Sequence, residues 1–447
     1  MRVLLISTYD MGRQPFGLAS AAGALGEQGV QVTCLDLAKQ RLDEEAVRTS
    51  SLIAFFLPMH TATRLSGPVI DRVRLLNPSA RLCAYGLYAP LNAGMLRERG
   101  ITDIIGGEFE DALADLAAAG TPARADTSPG APVPRVRFRT PVRDMLPPLT
   151  EYATLQVGEQ RRTAGYTEAS RGCKHRCRHC PVVPVYNGRF RVVPPAQVIS
   201  DVRAQVAAGA QHVTFGDPDF FNGPRHATDV LRAFAAEFPG VTYDVTIKVE
   251  HLLRHANLLP LLRETGCLFV TSAVESIDDE VLARLEKGHT RADFERAVAL
   301  CRAAGVSLRP TFVAFTPWTT LEGYCELLRV IDDLGLVEYV APIQLAIRLL
   351  ITNGSRLLEL EEVRSLAPDY SPASLTYPWR HPDPEVDCLQ RHVEALVGRR
   401  AGGDRQAIFR QISQDAHAAA RLAAPRFSDA VVLPRAAIPY LNEPWYC

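Results

Sequence analysis

The chain has 447 residues, is 47% hydrophobic and 22% charged, and carries a formal net charge of −1. That length exceeds one small core and points to about two to four domains. The balanced charge gives no global footprint for nucleic acid or an anionic membrane, and no apolar run nears the ~20 residues of a membrane span. The opening "MRVLLISTYD" reads as a buried strand rather than a secretory signal, so a cytoplasmic chain with reduced cysteines is expected.

In chain order, the first 120 residues alternate short apolar runs with helix-like segments. Strands are expected at Val3–Ser7, Val30–Leu35, Leu52–Leu57, Ala80–Tyr85 and Asp103–Ile105, with helices at Leu18–Glu27, Val69–Leu75, Leu91–Arg99 and Asp111–Ala118. Such alternation predicts an α/β unit whose parallel sheet binds ligands beyond its carboxyl edge. No G-x-G-x-x-G or P-loop follows a strand, so neither a dinucleotide nor an ATP site is supported. Residues 121–160 have the Pro, Ala, Gly and Arg content of a linker.

Over 161–360 the alternation resumes. Strands are expected at Thr167–Arg171, His212–Gly216, Tyr243–Val249, Leu268–Val274, Ser307–Phe315 and Tyr339–Ile347. The helices between them are expected at Pro195–Ala207, His226–Glu237, His251–Glu264, Glu280–Glu286, Arg291–Ala304 and Leu321–Asp333. Six such units make three-quarters of a β/α barrel, whose chemistry sits at the carboxyl ends of the strands. Residues 361–447 read as a small helical region with a cysteine tail.

Directly after the first of these strands comes "RGCKHRCRHCP", with Cys173, Cys177 and Cys180 spaced C-x3-C-x2-C. On a helix they would spread along roughly 10 Å of axis. A loop between Gly172 and Pro181 would wrap them around a compact centre instead. Three thiolates leave one iron of a [4Fe–4S] cluster open. Arg171, Lys174, Arg176, Arg178 and Arg189 suit the net negative charge of such a centre. A Cys3His zinc site using His175 or His179 is the competing reading, although zinc ligands usually come as two separated pairs.

At this point the sequence resembles the radical S-adenosylmethionine (SAM) superfamily, and over its whole length the subgroup with an N-terminal cobalamin-binding-type domain. The resemblance implies a Rossmann-like sheet, a partial (β/α)6 barrel, a [4Fe–4S] cluster on the three cysteines, and SAM chelating the open iron. It further implies roles in holding SAM for Gly216, Asp217 and Asp219 after the second strand, Lys248 and Glu250 after the third, Glu275 after the fourth, and Arg309 and Arg348 on the fifth and sixth. A turn, cap or rim ion pair is the plain alternative for each. Trp318 is a candidate wall of the cavity, and His60 a candidate to face a cofactor between the domains. The D-x-H-x-x-G cobalt-ligand motif is absent, because "TYDMGRQPFG" holds no histidine. The resemblance allows cobalamin without requiring it.

The ending "IPYLNEPWYC", closing on Cys447, and the stretch "PWRHPDPEVDCLQ" around Cys388 resemble radical SAM proteins that end in Cys-Cys-Ala-Glu-Pro or Cys-selenocysteine-Ala-Glu-Pro. A selenocysteine codon read as a stop after Cys447 is one expectation. That resemblance implies transfer of the 3-amino-3-carboxypropyl group of SAM to trivalent arsenic, with Cys447 as the catalytic thiol that holds the soft acceptor. The other readings are a cobalamin-dependent methyltransferase acting on carbon or phosphorus, and a zinc- or cluster-bearing sensor. A small-molecule substrate and an electron donor such as flavodoxin or ferredoxin are the expected partners, with no nucleic acid and no membrane.

Overall fold

A computed structural model describes residues 1–119, 133–400, 403–427 and 440–441. Strands β1 (Arg2–Ser7), β2 (Gln31–Asp36), β3 (Leu52–Phe56), β4 (Arg81–Tyr85) and β5 (Asp103–Ile105) form one parallel sheet in the order β2-β1-β3-β4-β5. Helices α1 (Phe16–Glu27), α2 (Glu44–Thr49), α3 (His60–Leu76), α4 (Ala93–Glu98) and α5 (Glu110–Ala119) cover it. The two-residue period of a strand divides β1 between two cores. Val3 and Leu5 pack with Leu18, Leu25, Leu113 and Leu116 of α1 and α5. Leu4 and Ile6 pack with Val47, Ile70, Val73 and Leu96 of α2, α3 and α4. Burial on both faces explains why β3 reads as an unbroken apolar run, "LIAFF".

Residues 133–153 contain no strand, yet they tie the two sheets together. The guanidinium of Arg143 donates to both carboxylate oxygens of Asp201 at 2.7 and 2.9 Å, to Gln14 at 2.9 Å and to the Tyr166 carbonyl at 2.8 Å. Arg139 bridges Glu27 and Asp111.

The second sheet begins with the antiparallel hairpin β6 (Thr154–Val157) and β7 (Gln160–Thr167). A separate two-stranded ribbon pairs β8 (Ser170–Gly172) with β9 (Phe190–Val192). Strands β10 (His212–Phe215), β11 (Thr242–Thr246), β12 (Cys267–Glu275) and β13 (Ser307–Phe312) then extend from β7 as parallel neighbours. β14 (Tyr440–Leu441) pairs with β6 at the far edge. Helices α6 (Val183–Tyr186), α7 (Pro195–Ala207), α8 (Pro224–Glu237), α9 (Val249–Arg254), α10 (Leu259–Glu264), α11 (Asp279–Arg284), α12 (Arg291–Ala303) and α13 (Leu321–Asp333) connect and back these strands. Beyond them lie α14 (Glu361–Leu366), α15 (Pro384–Arg399) and α16 (Arg405–Ala419).

Two expectations are corrected here. The strand expected over Thr167–Arg171 is split. β7 stops at Thr167, the chain bends, and Ser170–Gly172 joins a different ribbon. Gly172 ends that strand at φ +75°, with Tyr186 and the Arg189 carbonyl packed where a Cβ would sit, so only glycine fits. The sixth strand, expected over Tyr339–Ile347, does not form. Pro342 lacks the N–H a ladder needs and opens a 3-10 turn over Pro342–Leu345, leaving one parallel bridge between Phe315 and Arg348. The product is a curled half-barrel of five parallel strands. No helix among the described residues is long and apolar enough to cross a membrane.

Candidate active site

The cysteine loop leaves β8 at the carboxyl end of the half-barrel. Its start is fixed by Asp217, whose two oxygens accept from the Ala169 N–H at 2.9 Å and the Ser170 hydroxyl at 2.5 Å. Asn222 reaches across to the loop, accepting from the Lys174 N–H at 3.2 Å and lying 3.9 Å from the Cys173 sulfur. The Cys180 N–H donates to the Cys177 carbonyl at 3.2 Å, closing the loop before α6. On the outer side Arg178 donates to the Arg284 carbonyl, and Ser355 donates to the Arg178 carbonyl.

Cys173 and Cys177 are buried and Cys180 is partly so. Burial pushes the Cys180 thiol up to about 12 and raises that of Cys173. Thiolates at these positions therefore need positive charge close by. Two lysines supply part of it. The Lys248 ammonium lies 3.8 Å from the Cys177 sulfur. Buried Lys287 feels both Cys177 and Cys180, and its ammonium donates to Glu275 at 3.3 Å. The three sulfurs are not among the donor sets that converge within 4.8 Å, as ligands of a single ion must.

Glu275 ends β12 in the left-handed region at φ +71°, where the register with β13 slips by one residue. This kink turns its carboxylate toward the loop, where it meets Lys287 and His179, the latter at 3.1 Å. Although burial opposes ionisation, Lys287 and His179 hold Glu275 down at about 2.

The remaining sequence candidates are placed as follows. Gly216 passes under Tyr166, whose ring atoms lie about 2 Å from where a Cβ would be. Asp219 caps the 3-10 turn Phe220–Asn222 and faces His175 and His251. Glu250 pairs with Arg254 at 2.8 Å and faces His175 at 3.5 Å and Lys248 at 3.9 Å. Arg309 stacks on Phe269 at 4.6 Å. Arg348 lies 3.5 Å over the Trp379 ring and donates to Asp387 and the Trp379 carbonyl, which ties the barrel to α15. His60 is bonded to the Ser374 carbonyl at 2.7 Å, and Trp318 packs beneath Arg284. Cys388 is exposed on α15, and Cys447 lies outside the described residues.

Inside the half-barrel a cleft of about 110 Å³ opens among Thr214, Asp244, Thr246, Arg309, Phe215 and Phe269, with Gly216 and Thr271 beside them. Asp244 accepts there from the Thr214 hydroxyl at 2.7 Å and from His212 at 2.8 Å. Arg13, from the loop after β1, also lines it and stacks 4.5 Å over Tyr166. The carboxyl edge of the first sheet thus borders the mouth of the second.

Sequence reasoning missed the junction between the sheets. Arg171, two residues before Cys173, donates to Glu110 at 2.9 Å and to Glu168 at 2.7 Å, and lies 3.5 Å from Glu108. All four side chains are largely or wholly buried. Lys287 was missed too, since a lone lysine in "LEKGH" carries no sequence signal.

Residues 167–329 match the model of the radical SAM superfamily. Among curated proteins, the ribosomal protein uS12 methylthiotransferase RimO of Parabacteroides distasonis is 26% identical over 196 residues, covering 41% of this chain and 44% of that protein. The hopanoid C-3 methylase of Methylococcus capsulatus is 24% identical over 151 residues, 34% of this chain and 29% of that protein. The chain therefore spans less than half the length of these relatives. Among solved structures, the radical SAM methyltransferase TsrM from Kitasatospora setae, with cobalamin and a [4Fe–4S] cluster bound, superposes with TM-score 0.65 at 18% identity, over 93% of this chain and 99% of that one. The cobalamin-dependent radical enzyme OxsB, with aqua-cobalamin bound, superposes with TM-score 0.68 at 15% identity, over 89% and 67%. With the three cysteines at the barrel mouth and the superfamily model spanning most of the half-barrel, residues 167–329 form a radical SAM domain, and the fold of the chain is the one seen in cobalamin-dependent members.

Proposed function

We propose that the chain transfers a group from SAM to a small-molecule acceptor, and that the group is methyl, carried by cobalamin to carbon or phosphorus. The observation that carries this reading is the likeness to TsrM along nearly the full length of both chains, first sheet included. A single radical SAM barrel would not need that sheet. Its carboxyl edge borders the barrel cleft through Arg13, where a corrin would lie close to the reaction. No histidine stands in the loop after β1, and His60 is engaged by the Ser374 carbonyl, so cobalt would take no ligand from these positions.

A bound cluster would supply the electron that breaks a C–S bond of SAM, and cobalamin would supply a methyl carrier. The protein's part is placement. Cys173, Cys177 and Cys180 would hold the cluster. Lys248 and Lys287 set positive charge beside them in a buried site, which favours the reduced, more negative state. Gly216 and Arg309 border the cleft, where the nucleoside end of SAM would lie. Asp217, Asp219, Glu250, Glu275 and Arg348 are each engaged by protein partners. We propose that they shape the site through those partners.

A second reading rests on the cysteine ending, which suits 3-amino-3-carboxypropyl transfer to trivalent arsenic with Cys447 holding the acceptor. One experiment separates the two. The cluster is reconstituted without oxygen, SAM and a reductant are added with and without cobalamin, and the nucleoside is identified by mass. 5′-Deoxyadenosine, with S-adenosylhomocysteine appearing only with cobalamin, supports methyl transfer. Methylthioadenosine overturns it and favours the aminocarboxypropyl reading.

A further inference from the structure

Beside the cysteine loop, three side chains from three different elements converge on one point. His175 comes from the loop itself, Asp219 from the turn after β10, and His251 from α9. Their donor atoms all lie within 4.8 Å of one another, and they are the only such trio among the described residues. Nε2 of His175 is 3.6 Å from Oδ2 of Asp219, and Nδ1 of His251 is 2.6 Å from that same oxygen. Yet none of these three atoms has a hydrogen-bond partner of acceptable geometry among the described residues. The imidazole of His251 and the carboxylate of Asp219 are almost fully buried. Buried polar atoms are rarely left in this state, and three aimed at one another ask for a common partner.

We infer that His175, Asp219 and His251 form a second metal site, for a divalent first-row ion such as zinc, separate from the cluster. Two imidazoles and one carboxylate are a borderline-to-hard donor set that suits Zn(II), Fe(II) or Co(II) and leaves a position open. The surroundings fit. Oδ1 of Asp219 faces the N–H groups of Phe221 and Lys248, at 3.3 and 3.4 Å, which keeps Oδ2 turned to the trio. Nδ1 of His175 lies 3.5 Å from Glu250, the carboxylate-behind-histidine arrangement that orients metal ligands. Lys248 directs its ammonium between Glu250 and the Cys177 sulfur. An ion here would pin the segment between Cys173 and Cys177 to β10 and β11, so it would act as a clamp on the cluster loop.

The test uses the full-length, untagged chain with its cluster reconstituted, titrated with Zn(II) and desalted. Metal analysis should find one zinc per chain besides the cluster iron. X-ray absorption at the zinc edge should show nitrogen and oxygen neighbours with no sulfur. Zinc ringed by sulfur overturns the proposal, because the ion would then be in the cysteine loop and the cluster assignment itself would be in question. Failure to retain zinc also overturns it. Asp219→Asn and His251→Gln should lose the ion while keeping the cluster's iron. Glu250→Gln, outside the trio, should weaken zinc about tenfold. Zinc held as tightly in Asp219→Asn and His251→Gln as in the unaltered chain overturns the assignment. Should either variant fail to fold, the absorption spectrum of the unaltered chain still decides.

Discussion

Lys287 and Glu275 lie 3.3 Å apart, both buried, against the part of the loop that carries Cys177 and Cys180. A buried pair tolerates loss of one member poorly, by about 3–5 kcal/mol. Lys287→Met should therefore lower the melting temperature. It should also make the cluster harder to reduce, because a positive charge beside two thiolates is gone. A redox titration followed by electron paramagnetic resonance reads this. Lys287→Arg should restore most of the potential. An unchanged potential in Lys287→Met would sink the idea that this lysine tunes the cluster.

Burial lifts Glu108 from 4.5 to about 7 despite Arg171 beside it. A carboxyl raised on folding stabilises the fold below its unfolded value. That contribution is lost as pH rises through the folded value. Stability should fall between about pH 4.5 and 7, by roughly 3 kcal/mol from this group. Asp10 and Asp217 are raised to about 7 as well and push in the same direction. Glu108→Gln should be more stable than the unaltered chain at pH 8 and show a flatter profile. Melting curves from pH 5 to 8 check this, and an unchanged slope would contradict it.

Gly216→Ala puts a methyl group 1.8 Å from the Tyr166 hydroxyl. Overpacking of this kind costs about 1–3 kcal/mol. The melting temperature should drop, and replacing Tyr166 with alanine in the same chain should return part of the loss. Additive losses in the double variant would show that the two residues do not meet.

Arg348 stacks on Trp379 and pairs with Asp387. Arg348→Ala should loosen α15 and lower stability while leaving SAM affinity, measured by calorimetry on the cluster-loaded enzyme, within about twofold. A tenfold loss of SAM affinity would return Arg348 to the clamp role that its place in the sequence suggested.

Most of the N-terminal strands were legible because each holds a short run of buried apolar residues, as in "VLLI" and "LIAFF". The cysteine loop was legible because its chemistry depends on spacing alone. The sixth barrel strand misled because "YVAPIQLAI" has strand composition, while Pro342 removes the donor that a ladder requires. Partners were the least visible. That Asp217 braces β8, or that Arg348 reaches α15, depends on contacts between residues 39 or more positions apart. The four-residue charge cluster around Arg171 was hidden for the same reason, with its acids divided between two sheets.

That cluster bears on how this protein was assembled. The residue that introduces the cysteine loop shares its charge between Glu168 and Glu110, which belongs to the first sheet's last helix, so the half-barrel is not a portable module. A chimera that grafts the barrel behind a foreign first sheet would leave a buried guanidinium at the threshold of the cluster without one of its main partners unless Glu110 travelled with it. Recombination among relatives should therefore favour exchange at the far end of the chain, beyond the barrel, where it leaves this junction undisturbed.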